Sequence, residues 1–296
     1  MKRSDLVFVI LLTVPAAIFF LAFFAYPVAL LVYNSFFDVS LLALEDRLFV
    51  GLDNYISSFT NAKTTAVFIQ TLQYTAITLI SEFVLGFIAA LTFNAIGKKA
   101  EVLRTIFLFP LMVAPIVAGL LWKFMLLDNF GILNHILTFL GVLNKPGDLA
   151  WLSDPKIAMF SVALPDIWLT TCFVTMVLYT GLQNIPVELI EAAKIDGANA
   201  LQSFLHITIP LLRPVIAAVL ILRGIDAART FDAIYLMTGG GPMGKTEVLS
   251  LRIYLTMIRY GRFGDASAMA TLFLIVLLAL CLVAFYGIWK PDTTKR

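Results

Sequence analysis

The chain has 296 residues, of which 60% are hydrophobic and 14% charged, and it carries a formal net charge of +2. Soluble domains hold about 25% charged residues, so this composition excludes an ordinary soluble globule and points to a polytopic membrane protein. The small basic excess forms no Lys/Arg stripe, which argues against a nucleic-acid partner; two cysteines inside apolar runs, Cys172 and Cys281, argue against a disulfide framework.

A spanning helix needs about 20 mostly apolar residues. In chain order the segments that qualify are roughly 6–35, 67–96, 103–126, 157–181, 210–236 and 265–289. The first follows Lys2 and Arg3 and is uncharged from Leu6 to Tyr33, too long for a signal-peptide core of about 7–15 residues. It is therefore expected to be a retained span with its basic end in the cytoplasm. Counting Lys and Arg near the span ends on that basis gives ten inside against eight outside. The first four boundaries carry most of the bias, and both termini fall in the cytoplasm.

Charges inside these segments are the first candidates for function. Glu82 lies mid-span in the second segment, where a carboxylate must be paired, protonated or turned toward water. Trp122 and Lys123 lie near the outer end of the third. Packing at the interface is the ordinary role of such a tryptophan, with sugar stacking as the alternative. In the fifth segment Arg223, Asp226, Arg229 and Asp232 recur every third residue. Each charge at the centre of a lipid-facing helix costs at least about 2.5–3.5 kcal/mol, so these four face other helices or water. Two readings stand: an ion-pair ladder along one helix, or polar groups lining a solute path. Asp232, nearest the outer end, has a third option in fixing the loop that follows.

That loop contains "GGGPMGKT", Gly239 to Thr246, which satisfies the phosphate-loop pattern G-x-x-x-x-G-K-[ST]. The pattern requires a strand before it and a helix after it within an α/β domain. Here it follows a spanning segment, so its glycines are read as turn residues and nucleotide binding is rejected. His135 and His206 stand without a cysteine or carboxylate at ligand spacing, which leaves no metal site to propose.

Between the fourth and fifth segments runs "NIPVELIEAAKIDGANALQSFLHITIP". Asn184 and Pro186 suit a helix start, and Glu188 favours the positive N-terminal end. Ile185, Leu189, Ala192 and Ala193 make a narrow apolar face, and Gly197 after Asp196 is placed for a left-handed exit. A short second helix then leads to Pro210 and Pro214. The expectation is a cytoplasmic helix–turn–helix whose small residues fit a groove on a partner.

This stretch resembles the EAA loop of binding-protein-dependent ABC importer permeases: "EAA", three residues, Gly197, nine residues, Ile207, one residue, Ile209 and Pro210, with isoleucine where leucine is usual at 209. Further blocks in order, "LFPLMVAPIVAGLLWKFML", "FGILN", "WLSDPKIAM", "RTFDAIYLMTGGGP" and "GDASAMA", extend the resemblance over about 67–289 toward the sugar-permease branch, in particular the first of two unlike maltose-type permeases. The resemblance implies a bacterial cytoplasmic-membrane importer for a sugar, polyol or related carbohydrate. It also implies a second six-span permease, an external solute-binding protein, and two cytoplasmic ATPase subunits that hold the ATP and magnesium, this chain holding no cofactor and performing no catalysis. Carried over by residue, Glu191, Ala192, Ala193, Asp196 and Gly197 form the ATPase-coupling element. The competing class is an ion- or proton-coupled secondary transporter using Glu82 and the fifth-segment charges.

The expected architecture is an all-α integral membrane protein with six transmembrane helices and the coupling loop between the fourth and fifth. Residues 1–66 supply the first span and outer loop, 67–289 the permease core, and 290–296 a cytoplasmic tail.

Overall fold

The computed structural model describes residues 3–40 and 43–288. Lys2, Trp289 and the tail expected over 290–296 lie outside the described residues. The chain divides into two compact units: one combines the chain up to Ala66 with Arg252–Val276, the other Val67–Leu251 with the chain from Leu277.

In the first unit, α1 (Arg3–Phe20) and α2 (Tyr26–Asn34) are joined by a π-helical turn, Leu21–Ala25. The next segment departs from the all-α expectation. Phe37–Ser40 (β1) pairs antiparallel with Ala43–Phe49 (β2), in the register Phe37 to Phe49 and Asp38 to Leu48. The local cause is alternation of period two: Val39 is 1% exposed while Asp38 and Ser40 on either side point outward. A short helix, α3 (Asp53–Thr60), then braces the hairpin. The Asn54 amide donates to the Ser35 and Phe37 carbonyls, both at 2.9 Å, satisfying backbone groups at the bend where helix gives way to strand.

The second unit is built on α4 (Ala62–Ile96), 35 residues long. At 1.5 Å per residue it exceeds the roughly 30 Å hydrocarbon layer. Threonines inside it satisfy their own hydroxyls: Thr71, Thr75 and Thr78 donate to the carbonyls four residues back at 2.8, 2.8 and 2.9 Å. The third apolar segment is not one straight helix. It divides into α5 (Glu101–Phe107), a 3-10 turn to Met112, and α6 (Pro115–Met125), and the two halves meet at 94°. Pro115 is the cause, because a residue before proline is pushed out of the helical region; Ala114 has φ −63° and ψ 137°.

Beyond α6, a loop with one short helix, α7 (Ile132–Phe139), is organised around Asn134. Its buried amide donates to the Asp128 and Leu149 carbonyls at 2.8 Å each and accepts from the Trp151 indole at 2.7 Å. Next come α8 (Ala158–Gln183), α9 (Val187–Ile195), α10 (Ala200–Ser203), a π-helical turn Phe204–Thr208, and α11 (Ile209–Ala228). The fifth apolar segment also breaks, at Arg229–Phe231, before α12 (Asp232–Met237); α13 (Leu249–Tyr254) begins in this unit and ends in the first, and α14 (Phe263–Ile288), the last described helix, begins in the first and ends in this one. Among the described residues five helices are long and apolar enough to cross a membrane, or six if the bent α5–α6 pair counts as one span.

The core of this unit joins α4, α8 and α11 through Phe87, Ala90, Val174, Leu178, Leu212 and Val219. Small residues set the approach of the helices, as is usual where lipid supplies no hydrophobic drive. A Cβ on Gly119 of α6 would lie 2.9 Å from the Ala233 Cα of α12. Gly119→Val is therefore expected to destabilise the protein by about 1–3 kcal/mol, read as a lower melting temperature of the purified chain in detergent. An unchanged melting temperature would show that the two helices do not need this contact.

Candidate functional site

Three spans each deliver a charged side chain to one point in the apolar interior. Glu82 on α4 is fully buried. The Arg223 guanidinium on α11 donates to both its oxygens, from Nε at 2.9 Å and from Nη2 at 3.0 Å. The same Nη2 reaches Asp166 Oδ1 on α8 at 3.3 Å and Thr170 Oγ1, one turn further along α8, at 3.2 Å. The other Asp166 oxygen accepts from Tyr74 at 3.3 Å and from Thr230 at 3.4 Å. A guanidinium has five donors in a fixed planar fork, so a single arginine fixes three helices at once. Such pairing is what allows ionised groups to remain within a span at all.

From this buried anchor the charges run outward. Arg223 Nη1 lies 3.6 Å from Asp226 Oδ2, and Arg229 Nη2 lies 2.9 Å from Asp226 Oδ1. The side chains open to solvent in that order: Arg223 is 7% exposed, Asp226 50% and Arg229 62%. They line a cavity of about 500 Å³ together with Asp166, Thr170, Thr230 and Asp232, and Pro115, Pro165 and Phe231 give it apolar wall.

The sequence-derived candidates thus separate. Arg223, Asp226, Arg229 and Asp232 all reach the cavity, and Glu82 stands behind Arg223. They do not form one four-member ladder: Arg223 bonds mainly across to α4 and α8, and among the described residues Asp232 makes no ion pair. Trp122 is half-buried on α6 and is not in the cavity wall. Lys123 donates to the Leu236 carbonyl at 2.8 Å, at the end of α12. Asp166 was the residue that sequence reasoning passed over. It is the one charged residue between Ile157 and Gly181, and the argument applied to Glu82 would have found it.

The connection between α8 and α11 is a rigid exposed knuckle. Ile190, Phe204 and Ile209 pack against the core cluster of α4, α8 and α11, and the Phe204 ring meets Phe87 edge-on at 5.7 Å. The helix α9 ends in a Schellman motif. The Ala198 N–H returns to the Ala193 carbonyl at 2.9 Å and the Gly197 N–H to Lys194 at 3.1 Å, with Gly197 at φ +80°. The helix α10 then starts with a reciprocal capping box: Gln202 N donates to Asn199 Oδ1, and Asn199 N to Gln202 Oε1, both at 2.8 Å.

Two details differ from the sequence expectation. Asn184 terminates α8 and Pro186 takes the N-cap position of α9, because α8 runs on through Gln183. The inward residue of α9 is Ile190, while Leu189, Glu191 and Ala192 are exposed and Ile195 is 87% exposed. Asp196, Gly197, Gln202, Ser203 and His206 border a concavity of about 380 Å³ beside the knuckle.

The glycine-rich loop after α12 is preceded by a helix and not by a strand. Gly239, Gly240 and Gly244 have φ of 59°, 94° and 75°. Thr246 closes the turn, bonding Thr238 Oγ1 at 2.7 Å and the Gly241 carbonyl at 2.6 Å. The Gly239, Gly241, Lys245 and Thr246 amides donate to the Ile234, Thr238, Pro242 and Gly240 carbonyls, and so are used within the turn itself.

Apolar spans, a charge network held inside them and a polar cavity beside it define a helical membrane permease. The sequence profile described as "Binding-protein-dependent transport system inner membrane component" matches residues 82–295, and the chain belongs to that family. It is 38% identical over 240 residues to the trehalose/maltose transport system permease protein MalF of Thermococcus litoralis, covering 81% of this chain and 80% of that protein. It is 34% identical over 283 residues to the sulfoquinovosyl glycerol transport system permease protein SmoG of Agrobacterium fabrum, covering 96% and 90%. The fold matches a chain in the crystal structure of a bacterial ABC transporter that imports the acidic polysaccharide alginate, with a TM-score of 0.81, 24% identity and 99% and 98% coverage.

Arg223→Ala would strand two carboxylates in the apolar interior. It is expected to destabilise the protein by about 3–5 kcal/mol. Adding Glu82→Gln to that variant should recover part of the loss, measured as a double-mutant cycle of thermal unfolding in detergent; strict additivity would mean the two side chains do not interact.

Proposed function

We propose that the chain is a transmembrane permease subunit of an ATP-driven ABC importer for a carbohydrate, forming half of the translocation pathway. The observation that carries this reading is the exposed, doubly capped knuckle at Gly197, in a chain of this family. In it, Glu191, Ala192, Ala193, Asp196 and Gly197 form the face that enters a cleft of the ATPase. Six spans, with α5 and α6 as the bent third, would bring both termini and the knuckle to one side, and the basic N-terminal end assigns that side to the cytoplasm.

The complete importer then contains a second, unlike six-span permease, two cytoplasmic ATPase subunits and an external binding protein. ATP and magnesium belong to the ATPases. When these close on ATP they draw the knuckle with them. Ile190 and Phe204 pass the displacement to α4 and α8, and the spans rock from inward-open to outward-open to receive solute. The polar cavity beside Arg223 is this subunit's part of the path, and the named cargo of the relatives supports a sugar, polyol or related solute.

The pairing of Glu82 and Asp166 around one arginine is the feature that favours the other class, an ion-coupled carrier. The two readings separate in proteoliposomes. Uptake should require internal ATP and the external receptor and should persist when ion gradients are collapsed; uptake driven by a gradient alone would establish the carrier. Gly197→Val places a β-branched residue in the left-handed region, a strain of about 1–2 kcal/mol, although no atom lies within 4 Å of the added Cβ. It is expected to abolish receptor-stimulated ATP hydrolysis while the chain still inserts. Wild-type stimulation would remove the knuckle from the coupling route.

A further inference from the structure

The cavity wall carries more acid than base, and each of its bases is bonded to a carboxylate. Asp166 comes from α8, Arg223 and Asp226 from α11, Arg229 from the end of α11, and Asp232 from the start of α12. Three carboxylates thus face two guanidiniums, and Glu82 stands behind Arg223 as a fourth acid. Arg223 spends Nε and Nη2 on Glu82, Asp166 and Thr170, and turns Nη1 toward Asp226. Arg229 is bonded to Asp226 at 2.9 Å. Asp232 is exposed and has no ion-pair partner among the described residues.

We infer that this cavity admits uncharged polyhydroxylated solutes and discriminates against anionic ones, with Asp232 as a residue that sets the discrimination. The inference rests on the cavity being part of the solute path. A phosphate, sulfonate or sugar acid finds no guanidinium that lacks a bonded carboxylate. It can reach Arg229 only beside Asp226, which stays in the cavity, and like charges at close range in a partly desolvated site repel strongly. A neutral carbohydrate meets none of this. Its vicinal hydroxyls donate to carboxylate oxygens, and its oxygens accept from the N–H groups of Arg229 that Asp226 does not take. Phe231 with Pro115 and Pro165 offers an apolar surface for the C–H face of a sugar ring. The Glu82–Arg223–Asp166 set is therefore not an anion hole; it holds acceptor oxygens in place at the cavity edge.

The test uses the complete importer in lipid nanodiscs without its receptor, so that the receptor's own preference does not enter. Binding is measured for two pairs of probes that differ in charge, trehalose with trehalose 6-phosphate and maltose with maltobionate. The neutral member of a pair should be held tighter by about tenfold or more. Asp232→Asn should narrow the ratio and Asp232→Lys should bring it near unity or invert it. Equal or tighter binding of the anionic probes by the unmodified protein overturns the inference, as does a ratio that Asp232→Lys leaves unmoved. If no probe binds, the inference falls as well. ATP- and receptor-dependent uptake by the same preparation then shows whether the importer reading still stands.

Discussion

A guanidinium cannot remain ionised among apolar helices unless its donors are met, and the interior of this protein is arranged around meeting those of Arg223. Two bonds go to Glu82, one to Asp166 and one to Thr170. The partners come from two helices other than its own, and their directions are fixed by the planar fork. Sliding α4, α8 or α11 by one residue would take a carboxylate out of reach and leave a charge in a medium that does not solvate it. Van der Waals packing tolerates small slips of helix on helix. The charge network does not, and it therefore sets the register that the packing fills.

The packing is fitted to that register. A Cβ on Gly86 of α4 would approach Val174 of α8 to 2.8 Å, and one on Gly181 of α8 would approach Leu212 of α11 to the same distance. These glycines let the three helices stand close enough for the fork to close. Toward the knuckle, the same helices share Phe87, Leu178 and Leu212, and Phe204 presses on Phe87. The knuckle is thus seated on the elements that hold the network. On the proposed coupling route a displacement there would reach the three spans together, because the network opposes their moving singly.

Much of this was legible in the sequence, for physical reasons that also mark where legibility ends. Length and apolarity located the spans because the bilayer demands both. The grammar of Asp196-Gly197 located the knuckle, because a left-handed exit favours glycine. The bend before Pro115 was equally present in the sequence, but a hydropathy window averages over it. The hairpin at Phe37–Phe49 was hidden by its shortness, its alternation too brief to stand out beside long apolar runs. Asp166, like Glu82, is a lone acid in an apolar segment, which marks it as paired or water-facing without saying with what. Nothing in one dimension says that residues 82, 166 and 223 meet; that is a fact of how α4, α8 and α11 pack.

The repeated charges themselves show why the two sequence readings did not have to be alternatives. A ladder and a solute path compete only while the four residues are treated alike, and their surroundings differ by degrees. Arg223 is enclosed, Asp226 is half open and Arg229 more so. The enclosed end does the work of structure, since its bonds lie in a medium where losing one is costly. At the open end the same kinds of group are partly hydrated, so exchanging a bond to water or to Arg229 for one to a hydroxyl changes little in free energy. A helix that grades from fixed to exchangeable polar groups over two turns can hold its neighbours in register at one end. At the other, on the proposed reading of the cavity as part of the solute path, it would offer groups that bind weakly enough to let go, which a pathway, unlike a binding site, requires.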